Sequence, residues 1–504
     1  MHERFARLDR ALFLEGRYVK SRASDGFDVT DPATEQRLAA IAEAAPAEIE
    51  AAVSAANAAQ RDWWRATSGL ERAEALHGVA ARLTELRPML AEALTREMGK
   101  PYKEAMDEVG WTASIFRYYA EIGRHDMGRV HAPSIAGQLH YTIKEPLGVA
   151  VLVMPYNFPL LLFAWQAAAA LAAGNALIVK PSEVTSLTTL MAMQAFAELP
   201  AGLVQCVTGG RKTGSALVAH EKTHVVAFTG TIAAGLDIAR AAAVRFKPAL
   251  IETSGNDPFI VMPSAPLATA IRGAAFAAFI NCGQVCTSAE RFYVHDDVHD
   301  AFAEGLAREA RGLRIGNGLE KVDLGPMATR AARERYEAIL KRALDDGAKP
   351  LAGGGRPAGF NRGWFVEPTV LTGIAPDMAI VSEESFGPVA PIVRVRSLDE
   401  AIALSNRSRY GLGANIYTSS LEEAMRAADE IESGMVWVNA PLLDNDAAPF
   451  GGRKFSGQGR ELGAEGLEQF RASKFVCINP AAVPEESSWY PYKDADAFPG
   501  VTGR

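Results

Sequence analysis

Val225-Val226-Ala227-Phe228-Thr229-Gly230-Thr231-Ile232-Ala233-Ala234-Gly235 is the stretch that decides the fold. Apolar residues of strand-forming type run straight into a hydroxyl-and-glycine turn, and small apolar residues then open a helix. The surroundings repeat this pattern. Apolar strands are predicted at 149–153, 176–179, 203–207, 225–228 and 249–251, separated by helix-like segments. Such alternation is the mark of a parallel, helix-covered sheet. Ligands of these sheets bind beyond the carboxyl ends of the strands. Asn157, Lys180, residues 229–235 and Glu252 all fall there.

Upstream, residues 47–60 place Ile49, Val53 and Ala56 on one helical face, and residues 70–86 do the same with Leu70, Ala73, Leu76, Ala80 and Leu83. Gly99 and Pro101 end that block. A helix over 102–120 follows, its aromatics read as packing residues. Between 128 and 145 the pattern turns extended, with Leu139, Tyr141 and Ile143 alternating, as strands projecting from the domain. After Pro258 a second alternation places strands near 291–295, 392–395, 414–417 and 435–438, a second α/β domain bearing Cys286. No internal repeat stands out. Residues 481–504 form a polar tail with a Trp489-Tyr490-Pro491-Tyr492 cluster.

At 504 residues the chain is too long for one core. A hydrophobic content of 48% and a charged content of 22% describe an ordinary soluble protein. The net charge of -8 argues against nucleic acid or an anionic membrane as partner. Four cysteines build no disulfide framework, which favours a reducing compartment. The first residues lack the apolar core of a signal peptide, and the most apolar run, 160–173, is too short to span a bilayer. A cytoplasmic protein is expected.

Asn281-Cys282-Gly283-Gln284-Val285-Cys286-Thr287-Ser288-Ala289-Glu290-Arg291 sits between a helix-like and a strand-like run, so a loop presents Cys286. On its own the stretch suits an inert buried cysteine as well as a nucleophile. Cys282, four residues earlier, offers a second thiol for a metal pair, but Cys206 and Cys477 stand alone, so no metal site is expected. The standard dinucleotide fingerprint is absent: Gly457-Gln458-Gly459 is followed by Gly463, one residue too late. Gly209 and Gly214 have the outer spacing of a phosphate loop, with Ser215 where a lysine belongs. Thr229-Gly230-Thr231 at a helix start would hold a phosphate. Lys180-Pro181-Ser182-Glu183 suits a ribose or a capped turn. Glu252, after three apolar residues, is costly to bury without a partner.

Taken in order, the motifs carry more. They are Met154-Pro155-Tyr156-Asn157-Phe158-Pro159, Lys180-Pro181-Ser182-Glu183, Phe228-Thr229-Gly230-Thr231 and Glu252-Thr253-Ser254-Gly255. Gly283-Gln284-Val285-Cys286, Glu384-Ser385-Phe386-Gly387-Pro388-Val389 and Pro449-Phe450-Gly451-Gly452 complete the set. In these motifs, and in the spacing of Glu252 from Cys286, the chain resembles the NAD(P)-dependent aldehyde dehydrogenase superfamily over about residues 13–476. The resemblance implies a Rossmann-like NAD-binding domain made from 1–127, 148–253 and a return over 456–504 that includes an oligomerisation strand and the tail. It implies an α/β catalytic domain over 254–455 and a small β oligomerisation arm over 128–147.

The resemblance also implies roles. Cys286 is the nucleophile, Glu252 the base for the hydrolytic water, and Asn157 an oxyanion donor with the Cys286 N–H. Glu461 is a second carboxylate assisting proton removal. Lys180 and Glu183 hold the adenosine ribose, Thr231 the pyrophosphate, and Glu384 the nicotinamide ribose beside Phe386. Met154, Pro155, Tyr156, Ser182, Gly214, Phe228, Thr229, Gly230 and Thr253 complete the cofactor set. Phe158, Leu161, Trp165, Val285, Thr287 and Phe450 contact the aldehyde. Glu183 favours NAD over NADP, because its carboxylate would repel a 2′-phosphate. Two departures stand out: Thr253-Ser254 replaces Leu-Gly, adding hydroxyls and bulk near the nicotinamide, and Thr231 replaces serine.

The expected reaction is oxidation of an aldehyde to the acid through a cysteine thioester and its hydrolysis. CoA-acylating relatives generally lack the glutamate, so Glu252 argues for water as the acyl acceptor. A non-catalytic cofactor-binding protein is the other alternative, and intact Cys286, Asn157 and Glu252 argue against it. The residues do not identify the aldehyde. Asp444, Asn445 and Asp446, at the tunnel mouth by resemblance, would suit a hydroxylated or cationic one, whereas Phe158, Leu161, Phe163 and Trp165 suit an aliphatic or aromatic chain. An unpaired strand edge at 128–145 needs cover, so a homodimer or homotetramer is expected.

Overall fold

The structure, a computed structural model, describes residues 1–125, 127–480 and 489–490. Apart from exposed Trp489 and Tyr490, the polar tail lies outside the described residues. The predicted parallel sheet is present. Val149–Val153 lies at its centre, with Ala176–Lys180 and then Val204–Cys206 on one side, and Val225–Thr229 and then Ala249–Glu252 on the other. The chain therefore builds outward, returns to the centre and builds outward again. The reversal opens a crevice beyond Val153 and Thr229, the usual place for a nucleotide. Antiparallel strands finish both edges: Ala11–Leu14 beside Val204–Cys206, and Gly457–Gln458 beside Ala249–Glu252.

Every residue of Val149–Val153 and Val225–Thr229 is buried, as strands covered on both faces require. Burying one such apolar side chain contributes roughly 1.5–3 kcal/mol, against about 1 kcal/mol for a helix cap. Sheet burial therefore dominates. Pro159–Ala172, the helix after the central strand, is buried along its whole length and begins with proline, whose missing N–H costs nothing in a first turn.

The N-terminal helices are Pro46–Arg65, Gly69–Met98 and Tyr102–Ile122. The second carries the face read over 70–86 on to the expected end at Gly99. It passes through Pro88 because Leu90, Ala91, Leu94 and Met98 are buried beyond it, and it stops where Gly99 turns left-handed at φ 101°.

A second, separately packed sheet has the order Lys349–Ala352, Thr369–Thr372, Val389–Val395, Ala289–His295, Asp257–Val261, Asn415–Tyr417, Trp437–Val438. Only the first of these runs antiparallel to its neighbour. Sequence reading missed Asp257–Val261, since an internal proline argues against a central strand. A register shift at Asp257/Pro258 accommodates it. The segment over 128–145 forms Gly128–His131 and Leu139–Pro146, and Arg471–Ile478 joins the latter from Arg471 opposite Pro146 to Ile478 opposite Leu139. Among the described residues no helix is long and apolar enough to cross a membrane.

Candidate active site

The crevice is a cleft of about 570 Å³. Its floor comes from the turn after the central strand: Met154, Pro155, Tyr156 and Asn157. Lys180, Ser182 and Glu183 stand at the end of the neighbouring strand, with the Lys180 ammonium 3.4 Å from the Glu183 carboxylate. Lys180 is nearly buried and its amine is held below its ordinary value by burial, while Glu183 reaches solvent. Across the switch point stand Phe228, Thr229, Gly230 and Thr231. Thr231 caps the helix Ile232–Ala243, its hydroxyl accepting the Ala234 N–H at 3.4 Å. The exposed first turn of that helix leaves N–H donors facing the cleft, which suits a diphosphate. Glu384 and Phe386 close the far side, Phe386 edge-on to Tyr156 at 6.0 Å. Carboxylates at both ends and a helix start between them fit a dinucleotide. Gly214 does not line the cleft. It packs beneath Lys180, and Arg211 and Ser215 of the same helix face the cleft instead.

Cys286 lies at the inner end of this cleft, where the loop leading into Ala289–His295 packs on the first core. Two glycines make the approach possible. A Cβ on Gly255 would stand 1.9 Å from the Cys286 carbonyl oxygen, and one on Gly283, at φ 70°, would stand 2.3 Å from the Gly387 carbonyl. Glu252 ends its strand fully buried, facing the thiol, and its Oε2 accepts from the Thr229 hydroxyl at 3.4 Å. Burial pushes its carboxyl well above the usual range. Burial, and next the Glu252 charge, push the Cys286 thiol up as well. Together the two groups hold one negative charge far more readily than two. Glu461 lies behind Glu252. An antiparallel bridge between Phe450 and Glu461 fixes it, and its carboxyl accepts from the Gln166 amide at 2.5 Å. Burial and then Glu252 keep this second carboxyl raised too.

Asn157 donates one amide hydrogen to the Gln284 carbonyl at 3.1 Å, and its carbonyl accepts from Lys100 at 2.7 Å and Asn281 at 3.1 Å. The amide carries a second hydrogen, and Asn157 lines the cleft. Leu161 and Trp165 share one face of the Pro159–Ala172 helix, and Trp165 packs against Phe450 at 4.6 Å. Val285 and Thr287 flank the thiol and are buried. Phe163 points elsewhere, into the core against Phe196 at 5.7 Å, so it does not serve a tunnel. Phe158 has its ring under the Lys100 ammonium at 3.6 Å. Asp444 sits within electrostatic reach of Cys286 and Glu252, its carboxyl pushed up to about 7 by burial first and by Glu252 and Asp446 next. Among the described residues no group of three or more His, Cys, Asp or Glu is placed to hold a metal ion.

The aldehyde dehydrogenase family model matches residues 18–476. The chain belongs to the aldehyde dehydrogenase family. It is 40% identical over 477 residues to a 3-sulfolactaldehyde dehydrogenase of Pseudomonas putida, covering 94% of this chain and 97% of that protein. A betaine aldehyde dehydrogenase of Bacillus subtilis is 34% identical over 485 residues, covering 94% and 99%. The NAD+ complex of an aldehyde dehydrogenase from Bacillus cereus superposes with a TM-score of 0.92 at 36% identity, covering 95% and 98%. This aldehyde dehydrogenase is thus an NAD-binding oxidoreductase that acts on an aldehyde, with the mixed α/β fold of its relatives.

Several supports of this aldehyde dehydrogenase's site were not legible in the sequence. Glu290, inside the quoted cysteine stretch, is buried and accepts from Ser385 and Phe386 N–H groups at 2.9 and 2.8 Å and from Asn256 at 3.0 Å, so it holds the segment carrying Glu384. Arg335 lines the cleft and donates to the Glu384 carbonyl at 2.7 Å. The Glu384 carboxyl accepts from the Gly255 N–H at 3.2 Å and feels the Ser254 hydroxyl, one of the two departures. The Thr253 hydroxyl donates away from the cleft, to the Phe455 carbonyl. Trp111, taken as packing, hydrogen-bonds Asp446.

Proposed function

We propose that the chain is a hydrolytic, NAD-preferring aldehyde dehydrogenase with Cys286 as nucleophile and Glu252 as base. The observation that carries this is the buried Glu252 carboxyl facing the Cys286 thiol at the inner end of the cleft. The Cys286 thiol gives its proton to solvent while Glu252 stays protonated, so the pair keeps a single negative charge as the sulfur attacks the aldehyde carbon. The resulting oxyanion lies against the second Asn157 amide hydrogen and the Cys286 N–H, donors of the kind worth roughly 3 kcal/mol each in a dry site. Bound NAD+ supplies the hydride acceptor. Loss of hydride from the tetrahedral carbon restores the C=O and leaves a thioester on Cys286. Once the thioester has formed, Glu252 gives its proton to Glu461, with which it shares a hydrogen bond, and then takes a proton from water, whose oxygen displaces the sulfur and releases the acid.

The cofactor assignments follow the cleft: Lys180, Ser182 and Glu183 on the adenosine ribose, Thr231 at the diphosphate, Glu384 and Phe386 at the nicotinamide end. Glu183 supports NAD over NADP. The proposed domain division is that of the sequence reading, 254–455 being catalytic and 128–147 the arm. The arm exposes Val130 and the strand Arg471–Ile478 joined to it exposes Phe475, which supports a homodimer or homotetramer, and the composition supports a cytoplasmic location. The test is the absorbance of NADH formed from a panel of aldehydes, with the product identified. A free acid formed at a rate indifferent to added CoA supports the reading. An acyl-CoA, or no NADH with any aldehyde, contradicts it. Light scattering at micromolar concentration tests the oligomer, and a monomer contradicts it.

A further inference from the structure

Three charged side chains near the start of the Tyr102–Ile122 helix take no part in the chemistry above, yet all reach the loop that does. Lys100 and Glu108 are both buried and form an ion pair at 2.7 Å. The Lys100 ammonium also donates to the Asn157 carbonyl at 2.7 Å. The other Glu108 oxygen accepts the N–H groups of Leu160 and Leu161, at 3.0 and 3.3 Å, capping the helix that follows Asn157. One turn earlier, Glu104 accepts the Asn281 N–H at 3.0 Å. The Asn281 amide then donates to both the Asn157 and the Gln284 carbonyls at 3.1 Å each.

A buried ion pair is weak evidence for stability, because apolar residues of the same volume often do as well. What apolar residues cannot do is grip carbonyl and N–H groups at fixed points. Here the grips converge on the two sides of one contact, the Asn157 amide on the Gln284 carbonyl. Asn281 and Cys282 hold that second side with φ values of 51° and 56°, a conformation non-glycine residues keep only when their surroundings impose it. We propose that Lys100, Glu104 and Glu108 are positioning residues for the oxyanion donor. They fix Asn157 and the 281–284 loop relative to each other, and so fix where the remaining Asn157 amide hydrogen points. This rests on the roles proposed above for Asn157 and Cys286.

The experiment uses the full chain with Glu104→Ala, Glu104→Gln, the exposed control Lys103→Ala, and the double variant Lys100→Met/Glu108→Leu, which removes the buried charges together. Two rates are read: NADH formation from an aldehyde, and cofactor-free hydrolysis of a nitrophenyl ester. Glu104→Ala is expected to lower kcat for both by a similar factor, about 10- to 100-fold, leaving the NAD+ Kd, the aldehyde KM and Tm unchanged. Glu104→Gln keeps an acceptor and recovers most of the rate. Lys103→Ala behaves as the unmodified enzyme. The folded double variant shows a similar kcat loss. Unchanged kcat in Glu104→Ala or in the double variant overturns the proposal. So does a loss that tracks Tm and NAD+ binding without rescue by glutamine. An unmodified chain that hydrolyses the ester but oxidises no aldehyde contradicts the proposed function instead, and the ester rates still read the positioning of Asn157.

Discussion

The two ends of the cleft are built on different principles. At the end proposed to hold the adenosine ribose, Lys180 and Glu183 come from one strand end and its turn, three residues apart, and Glu183 stays open to solvent. At the thiol end, Cys286, Glu252 and Asn157 come from three distant segments, and the last two are almost wholly buried. An exposed carboxylate can tilt a preference, since water and side-chain rotation soften whatever charge it meets. Buried groups that share one negative charge and one network of hydrogen bonds act as a unit. Changes at the thiol end should therefore be large and tied to single steps, and changes at the ribose end graded.

Cys286→Ala should show the largest effect: dehydrogenase and esterase activity fall to background while calorimetry finds NAD+ bound as before. Cys282→Ala should be mild, because that thiol is buried away from the cleft. Near-normal turnover in the Cys286 variant would erase the distinction between the two ends. Asn157→Ala comes next, with kcat reduced about 100- to 1,000-fold and aldehyde KM little changed. An equal rise in KM would make Asn157 a binding residue only.

The pH profile sharpens the comparison. Burial raises the Glu252 carboxyl, so its base form is lost as pH falls through a range well above that of an ordinary carboxylate. Steady-state turnover should fall on the acid side near neutral pH, and Glu252→Gln should remove that limb. A limb at the ordinary carboxylate range would place the base elsewhere. The smallest effect is expected at the exposed end. Unit charges about 4 Å apart at an effective dielectric near 20 repel by about 4 kcal/mol at most, and even about 1.4 kcal/mol gives tenfold selectivity. Glu183→Ser should therefore shift kcat/KM toward NADP+ by about tenfold or more. Lys180 and Arg211 would offset part of the original repulsion, so some NADP+ use by the unmodified enzyme is consistent. No shift in the variant is not.

The same contrast explains what could be read from the sequence. Apolar strands leading to Asn157, Lys180, Thr229 and Glu252 are local patterns, and they gave the parallel sheet and the cleft. The strand Asp257–Val261 was missed, because its proline is a local breaking signal that only the register shift against Ala289–His295 accommodates. Lys100, Glu104, Glu108 and Glu290 were invisible as site residues, since nothing local distinguishes a solvated charge from one folded against a segment 52 to 177 residues away. Gln166 had registered only as a polar interruption in an apolar helix. Its partners Glu461 and Thr229 lie 295 and 63 positions distant.

The central claim is that Glu252 serves the release of an acyl group from Cys286. Its most direct test is rapid mixing of the Glu252→Gln enzyme with NAD+ and a good aldehyde. The account predicts a burst of about one NADH per active site, then a steady rate far below that of the unmodified enzyme, because acylation proceeds and deacylation stalls. A variant with no burst and no steady rate would make Glu252 the activator of the thiol alone. A variant that turns over normally without a burst would contradict the account outright.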